Sequence, residues 1–113
     1  MTAVLKKGDV TLVPRVERAT SLFKRMKGLL GRSSLPADEA LWLSPCSAVH
    51  TFGMRFALDL VFLDARTTVV RVVRGVRPWR IVFGGRRSRS AIELTAGSLP
   101  DDALAVGDRV QLV

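Results

Sequence analysis

The apolar residues of this chain come in short runs, and that spacing narrows the folds open to it more than any other feature. Thr68-Val-Val-Arg-Val-Val-Arg74 is rich in β-branched residues, whose stiff side chains suit a pleated surface. Leu58-Asp-Leu-Val-Phe-Leu-Asp64 is almost continuously apolar, which predicts a strand covered on both faces. Ala40–Leu43, Pro78–Phe83, Ala91–Thr95 and Arg109–Val113 are further short runs, set apart by Gly, Pro, Asp and Ser in turn positions. Val10–Val16 alternates loosely and carries Pro14. Proline has no N–H to donate, so an edge strand or an irregular one is expected there.

One segment changes period. Leu22, Phe23, Met26, Leu29 and Leu30 fall on a single helical stripe, with Thr20 or Ser21 available as N-cap and Gly31 as the left-handed residue past the end. A single helical turn is also expected within Leu99–Ala105. Six or seven short strands and one main amphipathic helix over about residues 20–31 predict an α+β, β-rich fold, a mixed sheet or partly closed barrel. The 113 residues make one domain, residues 1–113, long enough to bury a core without a metal or a disulfide.

What the chain lacks excludes several chemistries. One Cys excludes an internal disulfide and one His excludes a polyhistidine metal site, so neither a metal nor another cofactor is expected. The first ten residues hold no apolar stretch long enough for a signal peptide, and nowhere do about eighteen apolar residues run together. A cytoplasmic protein with no membrane span is the expectation. Eighteen Lys+Arg against ten Asp+Glu leave a formal charge of +8, which favours anionic partners. Between Ala65 and Ile92 there is no acidic residue, yet eight arginines fall there: Arg66, Arg71, Arg74, Arg77, Arg80, Arg86, Arg87 and Arg89. Lys24, Arg25, Lys27 and Arg32 form a second basic group.

Three places could carry chemistry. Cys46 and His50 stand four apart, a spacing open to a thiol–imidazole pair but two ligands short of a zinc site. The run Val49-His-Thr-Phe-Gly-Met-Arg-Phe-Ala-Leu-Asp59 mixes an imidazole, a hydroxyl, a thioether, a guanidinium and a carboxylate. Within it, Asp59 is costly to bury unpaired, so Arg55, His50 or backbone amides are its expected partners. Asp64 is expected to open the following turn as a local backbone acceptor. Finally, Arg77-Pro-Trp-Arg80 sets Trp79 between two guanidiniums, a cation–π stack or the lip of an anion site. No Gly-rich phosphate loop, zincin motif, nucleophile elbow or helix-turn-helix spacing is present.

Taken in order, Arg25-Met-Lys-Gly-Leu-Leu-Gly-Arg32, the Leu58–Asp59 strand ending in Phe62-Leu-Asp64, Ile92-Glu-Leu-Thr-Ala-Gly97 and Val106-Gly-Asp108 resemble the bacterial and archaeal domain-of-unknown-function family numbered one hundred and ninety-two. The resemblance covers about residues 15–113 and implies a compact β-rich fold with no established activity. Where that family commonly reads Phe-Trp-Met-Lys-Asn-Thr with a Pro before Leu-Asp, this chain has Val49-His-Thr-Phe-Gly-Met54 and Ala57, the mark of a divergent branch.

The leading expectation is a non-catalytic domain that binds an anionic small molecule, glycan or other polymer in a cleft near residues 49–59 and 77–80. His50, Thr51, Met54, Arg55, Asp59, Trp79 and Arg80 would line it. A small enzyme using Cys46 or His50, and nucleic-acid binding through the arginine-rich surface, are the alternatives.

Overall fold

The computed structural model describes residues 2–20 and 32–113. Nine strands follow one another: β1 (Thr2–Lys7), β2 (Val10–Ala19), β3 (Glu39–Leu43), β4 (Ala48–His50), β5 (Leu58–Leu63), β6 (Val69–Val76), β7 (Ile81–Phe83), β8 (Ser90–Thr95) and β9 (Gln111–Leu112). Seven of them form one sheet in the order β6-β5-β8-β3-β2-β1-β9, antiparallel except where β2 and β3 run parallel. β4 and β7 form a separate two-stranded antiparallel ribbon.

The expected α+β class is corrected here: the described residues are all strand, turn and loop, with no helix among them. The main amphipathic helix expected over about residues 20–31 falls on residues 21–31, which lie outside the described residues, as do Lys24, Arg25 and Lys27. Leu99–Ala105 is not a helical turn either. It is a turn-rich connection tied by the Ala103 amide donating to the Pro100 carbonyl at 3.0 Å. A segment this short cannot offset the cost of nucleating a helix. No helix among the described residues is long and apolar enough to cross a membrane.

The large sheet curls so that its two edges meet. Thr68, just ahead of edge strand β6, bridges Arg109, just ahead of edge strand β9. Around that bridge the Val69 amide donates to the Asp108 carbonyl at 2.7 Å and the Val110 amide to the Thr67 carbonyl at 3.0 Å. This contact partly closes the sheet. The Asp64 carboxylate accepts the amides of Arg66 and Thr68 at 2.8 and 2.9 Å, which turns the chain from β5 into β6. The bond from the Thr68 amide holds that carboxyl below its ordinary value, with Arg66 contributing.

All six residues of β5 are buried, as its apolar run predicts. Their alternation feeds two cores. Val61 and Leu63 join Leu5, Val13, Val16, Ile92 and Leu94 on one face. Leu58, Leu60 and Phe62 join Leu41, Leu43, Val49, Met54 and Val76 on the other. The ribbon lies against the second face, because Val49 and Val82 pack into that cluster.

Pro14 does not mark an edge. β2 pairs with β1 on one side and β3 on the other. The missing N–H is absorbed by an irregularity: the β1 register shifts between Leu5↔Val13 and Ala3↔Val16, and β3 pairs only from Arg15 onward.

Candidate functional site

Most of the residues singled out above gather on the β4–β7 ribbon, and parity explains how. Ala48↔Phe83, Val49↔Val82 and His50↔Ile81 are cross-strand pairs, so successive pairs face opposite ways. Val49 is buried and Val82 half-buried beneath the ribbon, while Ala48, His50, Ile81 and Phe83 stand outside. Beyond the pairing, Phe52 and Trp79 extend the outer face. Their rings stack with centroids 5.9 Å apart, and the His50 ring lies 5.5 Å from that of Phe52.

Thr51 holds this tip together. It is fully buried, and its hydroxyl donates to the Arg77 carbonyl at 2.7 Å and accepts the Arg80 amide at 2.9 Å. The Thr51 carbonyl accepts the Trp79 amide at 3.0 Å and the Met54 amide at 3.2 Å. With the loop fixed from both sides, Trp79 adopts φ +68° and is 67% exposed. A bulky residue in the left-handed region is strained by roughly 1–3 kcal/mol. Here the surrounding hydrogen bonds hold an indole out in solvent at that cost.

Exposed arginines border the patch: Arg55 after the Thr51–Met54 turn, Arg77 and Arg80 either side of Trp79, and Arg86 and Arg87 past β7. Arg71 reaches over from β6, its guanidinium donating to the Phe83 carbonyl. Arg80 folds back, its guanidinium within 3.4 Å of the Pro78 and Trp79 carbonyls.

The seven residues expected to line one cleft divide. His50, Thr51, Trp79 and Arg80 are joined at the ribbon tip. Met54 lies beneath, inside the apolar cluster, and Arg55 follows it at the surface. Asp59 is on the other face of the sheet, in phase with Val61 and Leu63. Its oxygens accept the Gly75 amide at 2.8 Å and the Gly97 amide at 3.0 Å, and Arg74 approaches within 3.4 Å. Gly75 and Gly97 both have positive φ, one at a bulge of β6 and one in the turn after β8. Asp59 therefore meets backbone amides, one of its expected partners, and braces the fold. Cys46 is half-buried against the second cluster, its thiol donating to the Ala48 carbonyl at 3.1 Å.

A buried carboxyl on the ribbon side of the sheet is Glu93. It stands between Leu41 of β3 and Leu60 of β5 in the cross-strand register, so it shares their face. It is 5% exposed, and burial pushes its carboxyl up to about 7. Sequence reasoning passed over it, although an acidic residue inside Ala91-Ile-Glu-Leu94 was the same signal that drew attention to Asp59.

A cavity of about 40 Å³ lies between the second half of β2 and the start of β3, lined by Arg15, Glu17, Arg32, Leu35, Glu39, Ala40 and Leu41. It has room for a few waters and not for a metabolite. None of its lining residues belongs to the ribbon.

Comparison with known proteins places these features in a lineage. The model of the domain-of-unknown-function family DUF192, described as an uncharacterized ACR, matches residues 3–112. A UPF0127 protein of Pyrococcus abyssi is 31% identical over 104 residues, covering 88% of this chain and 86% of its own. A UPF0127 protein of Pyrococcus horikoshii is 30% identical over 101 residues, covering 85% of each. The crystal structure of a protein of unknown function from Novosphingobium aromaticivorans superposes with a TM-score of 0.83 at 18% identity, covering 98% of this chain and 84% of that one.

Proposed function

The chain belongs to the uncharacterised family DUF192, and from that premise we propose that it is a non-catalytic binding domain that takes an anionic small molecule or polymer on the outer face of the β4–β7 ribbon. The observation that carries this reading is Trp79, held exposed in left-handed backbone between Arg77 and Arg80. Strain concentrated at an aromatic that stays 67% exposed points to use of that side chain. The acid-free stretch around it supports the same reading: no carboxylate between Ala65 and Ile92 competes for the guanidiniums. In this arrangement Arg55 and Arg80 fix the anion and the Phe52–Trp79 stack forms an apolar wall.

Isothermal titration with inorganic polyphosphate, a sulfated oligosaccharide and a nucleoside triphosphate tests the reading. Binding to at least one, weakened by Arg55→Ala and by Arg80→Ala, is expected. Unchanged affinity in both variants would remove this face as the site.

A further inference from the structure

Charge alone does not account for the outer face of the ribbon. Among the described residues seven large apolar side chains are exposed, and four of them cluster here: Phe52 at 42%, Trp79 at 67%, Ile81 at 53% and Phe83 at 63%. Exposed apolar patches rimmed by polar groups mark interaction surfaces, and this one is rimmed by arginine without an acid. We propose that the outer face of the β4–β7 ribbon docks on an anionic lipid bilayer, with Phe52, Trp79, Ile81 and Phe83 entering the headgroup region and the flanking arginines meeting lipid phosphates. This rests on the anion-binding reading above and names the partner of the same face.

Three observations favour a bilayer over a nucleic acid. Ile81 and Phe83 project beside the aromatic tip, where apolar side chains gain from a hydrocarbon boundary and would stay partly wet against a sugar–phosphate backbone. The chain has no Asn and a single Gln at position 111, so the face carries no side-chain amide for reading adenine edges. Phe52 and Trp79 stack on each other, which closes the slot between them to a base. Tryptophan beside arginine is instead the pairing favoured at membrane interfaces, the indole at headgroup level and the guanidinium on phosphate.

The geometry also limits the mode of contact. The Gly84 amide on the Ser47 carbonyl at 2.8 Å and the Thr51 bonds tie the ribbon's two strands together. Val49 and Val82 in the second core and the Arg71 guanidinium on the Phe83 carbonyl hold it to the body, so the face arrives preformed. Docking is peripheral, through a rigid tip.

The test uses the whole chain carrying Trp42→Phe, so that Trp79 is the sole indole. Trp42 is half-buried and its Nε1 has no hydrogen-bond partner, so phenylalanine removes no bond. Vesicles of phosphatidylcholine alone, of phosphatidylcholine with phosphatidylglycerol, and of the same mixture with acyl-chain-brominated lipid are the probes. Poly(U) RNA and a sulfated oligosaccharide run in parallel. The inference expects sedimentation with anionic but not neutral vesicles, a blue shift of Trp79 emission and its quenching by brominated lipid. Phe83→Ser should lower the partition coefficient by about tenfold, the equivalent of burying one large apolar side chain less deeply. Failure to bind anionic vesicles, or binding without quenching of Trp79, would overturn it. Binding to RNA or the oligosaccharide but not to vesicles overturns the membrane assignment and leaves the anion-binding reading intact. Binding to none of these probes removes both.

Discussion

Thr51 and Arg80 are joined by one backbone hydrogen bond and one to a side chain: the Thr51 amide donates to the Arg80 carbonyl at 2.8 Å, and the Arg80 amide donates to the Thr51 hydroxyl at 2.9 Å. The same hydroxyl donates to the Arg77 carbonyl. A single buried threonine thus sets where the loop between β6 and β7 stands relative to β4. Valine at this position keeps the shape and strips both side-chain bonds. Thr51→Val is expected to cost about 2 kcal/mol in denaturant unfolding, because it leaves a buried donor and acceptor unpaired. Anion affinity should fall with it, whereas Thr51→Ser should retain most of both.

Asp59 is expected to behave as a brace. Asp59→Ala leaves the Gly75 and Gly97 amides unsatisfied and Arg74 without its carboxylate. A loss of about 3 kcal/mol is expected in equilibrium unfolding. The folded fraction should bind polyphosphate or anionic vesicles with unchanged affinity, since the residue faces away from the ribbon. Selective loss of binding without loss of stability would place Asp59 at the ligand.

Glu93 makes stability depend on pH. Burial raises its carboxyl from 4.5 to about 7, so the folded state binds the proton more tightly than the unfolded state does. The associated stability is fully present below about pH 4.5 and is lost as pH rises through about 7, a decline on the order of 3 kcal/mol. Unfolding free energies from about pH 4 to about pH 8, compared with those of Glu93→Gln, check this. The glutamine variant should show a flatter profile and greater relative stability at the alkaline end. An identical slope in both proteins would show that Glu93 is not the titrating group.

Gly84 is required for its lack of a side chain, with no help from φ. A Cβ there would stand 2.6 Å from Ser88 Cβ and closer still to Phe62 Cδ1. Phe62 is fully buried and cannot withdraw. Gly84→Ala is therefore expected to destabilise by about 2 kcal/mol, read from thermal or denaturant unfolding, and to disturb the end of the ribbon.

The strands with strong local signals were legible in the chain itself. Leu58–Leu63, Val69–Val76 and Ser90–Thr95 stand close to their expected limits because their composition suits a buried pleat whichever neighbours they find. Asp64 likewise performs its turn locally, so no distant contact was needed to read it. β1 and β4 went unread. β1 is only partly apolar, and β4 is three residues long; each is a strand because a partner supplies the pairing. Pro14 reads as the mark of an edge strand or an irregular one, and the register shift against β1 shows the irregular alternative in an interior strand.

For the site, the chain by itself determined which residue types were available: one imidazole, an acid-free arginine stretch and an aromatic pair at positions 52 and 79. Those follow from composition and need no coordinates. Which of them meet was decided only by tertiary structure. Met54, in the loop ahead of β5, packs into the ribbon-side core with Leu58, yet Asp59 next to Leu58 takes the opposite face with Val61 and Leu63, because strand parity sends neighbouring side chains through opposite faces of the sheet. Phe52 and Trp79 are far apart in the chain, yet their rings stack, because β4 and β7 pair and the buried Thr51 hydroxyl locks the loops beyond them. Local order is set by bonds a residue makes with its neighbours; a surface is set by where the long-range pairing leaves each side chain pointing.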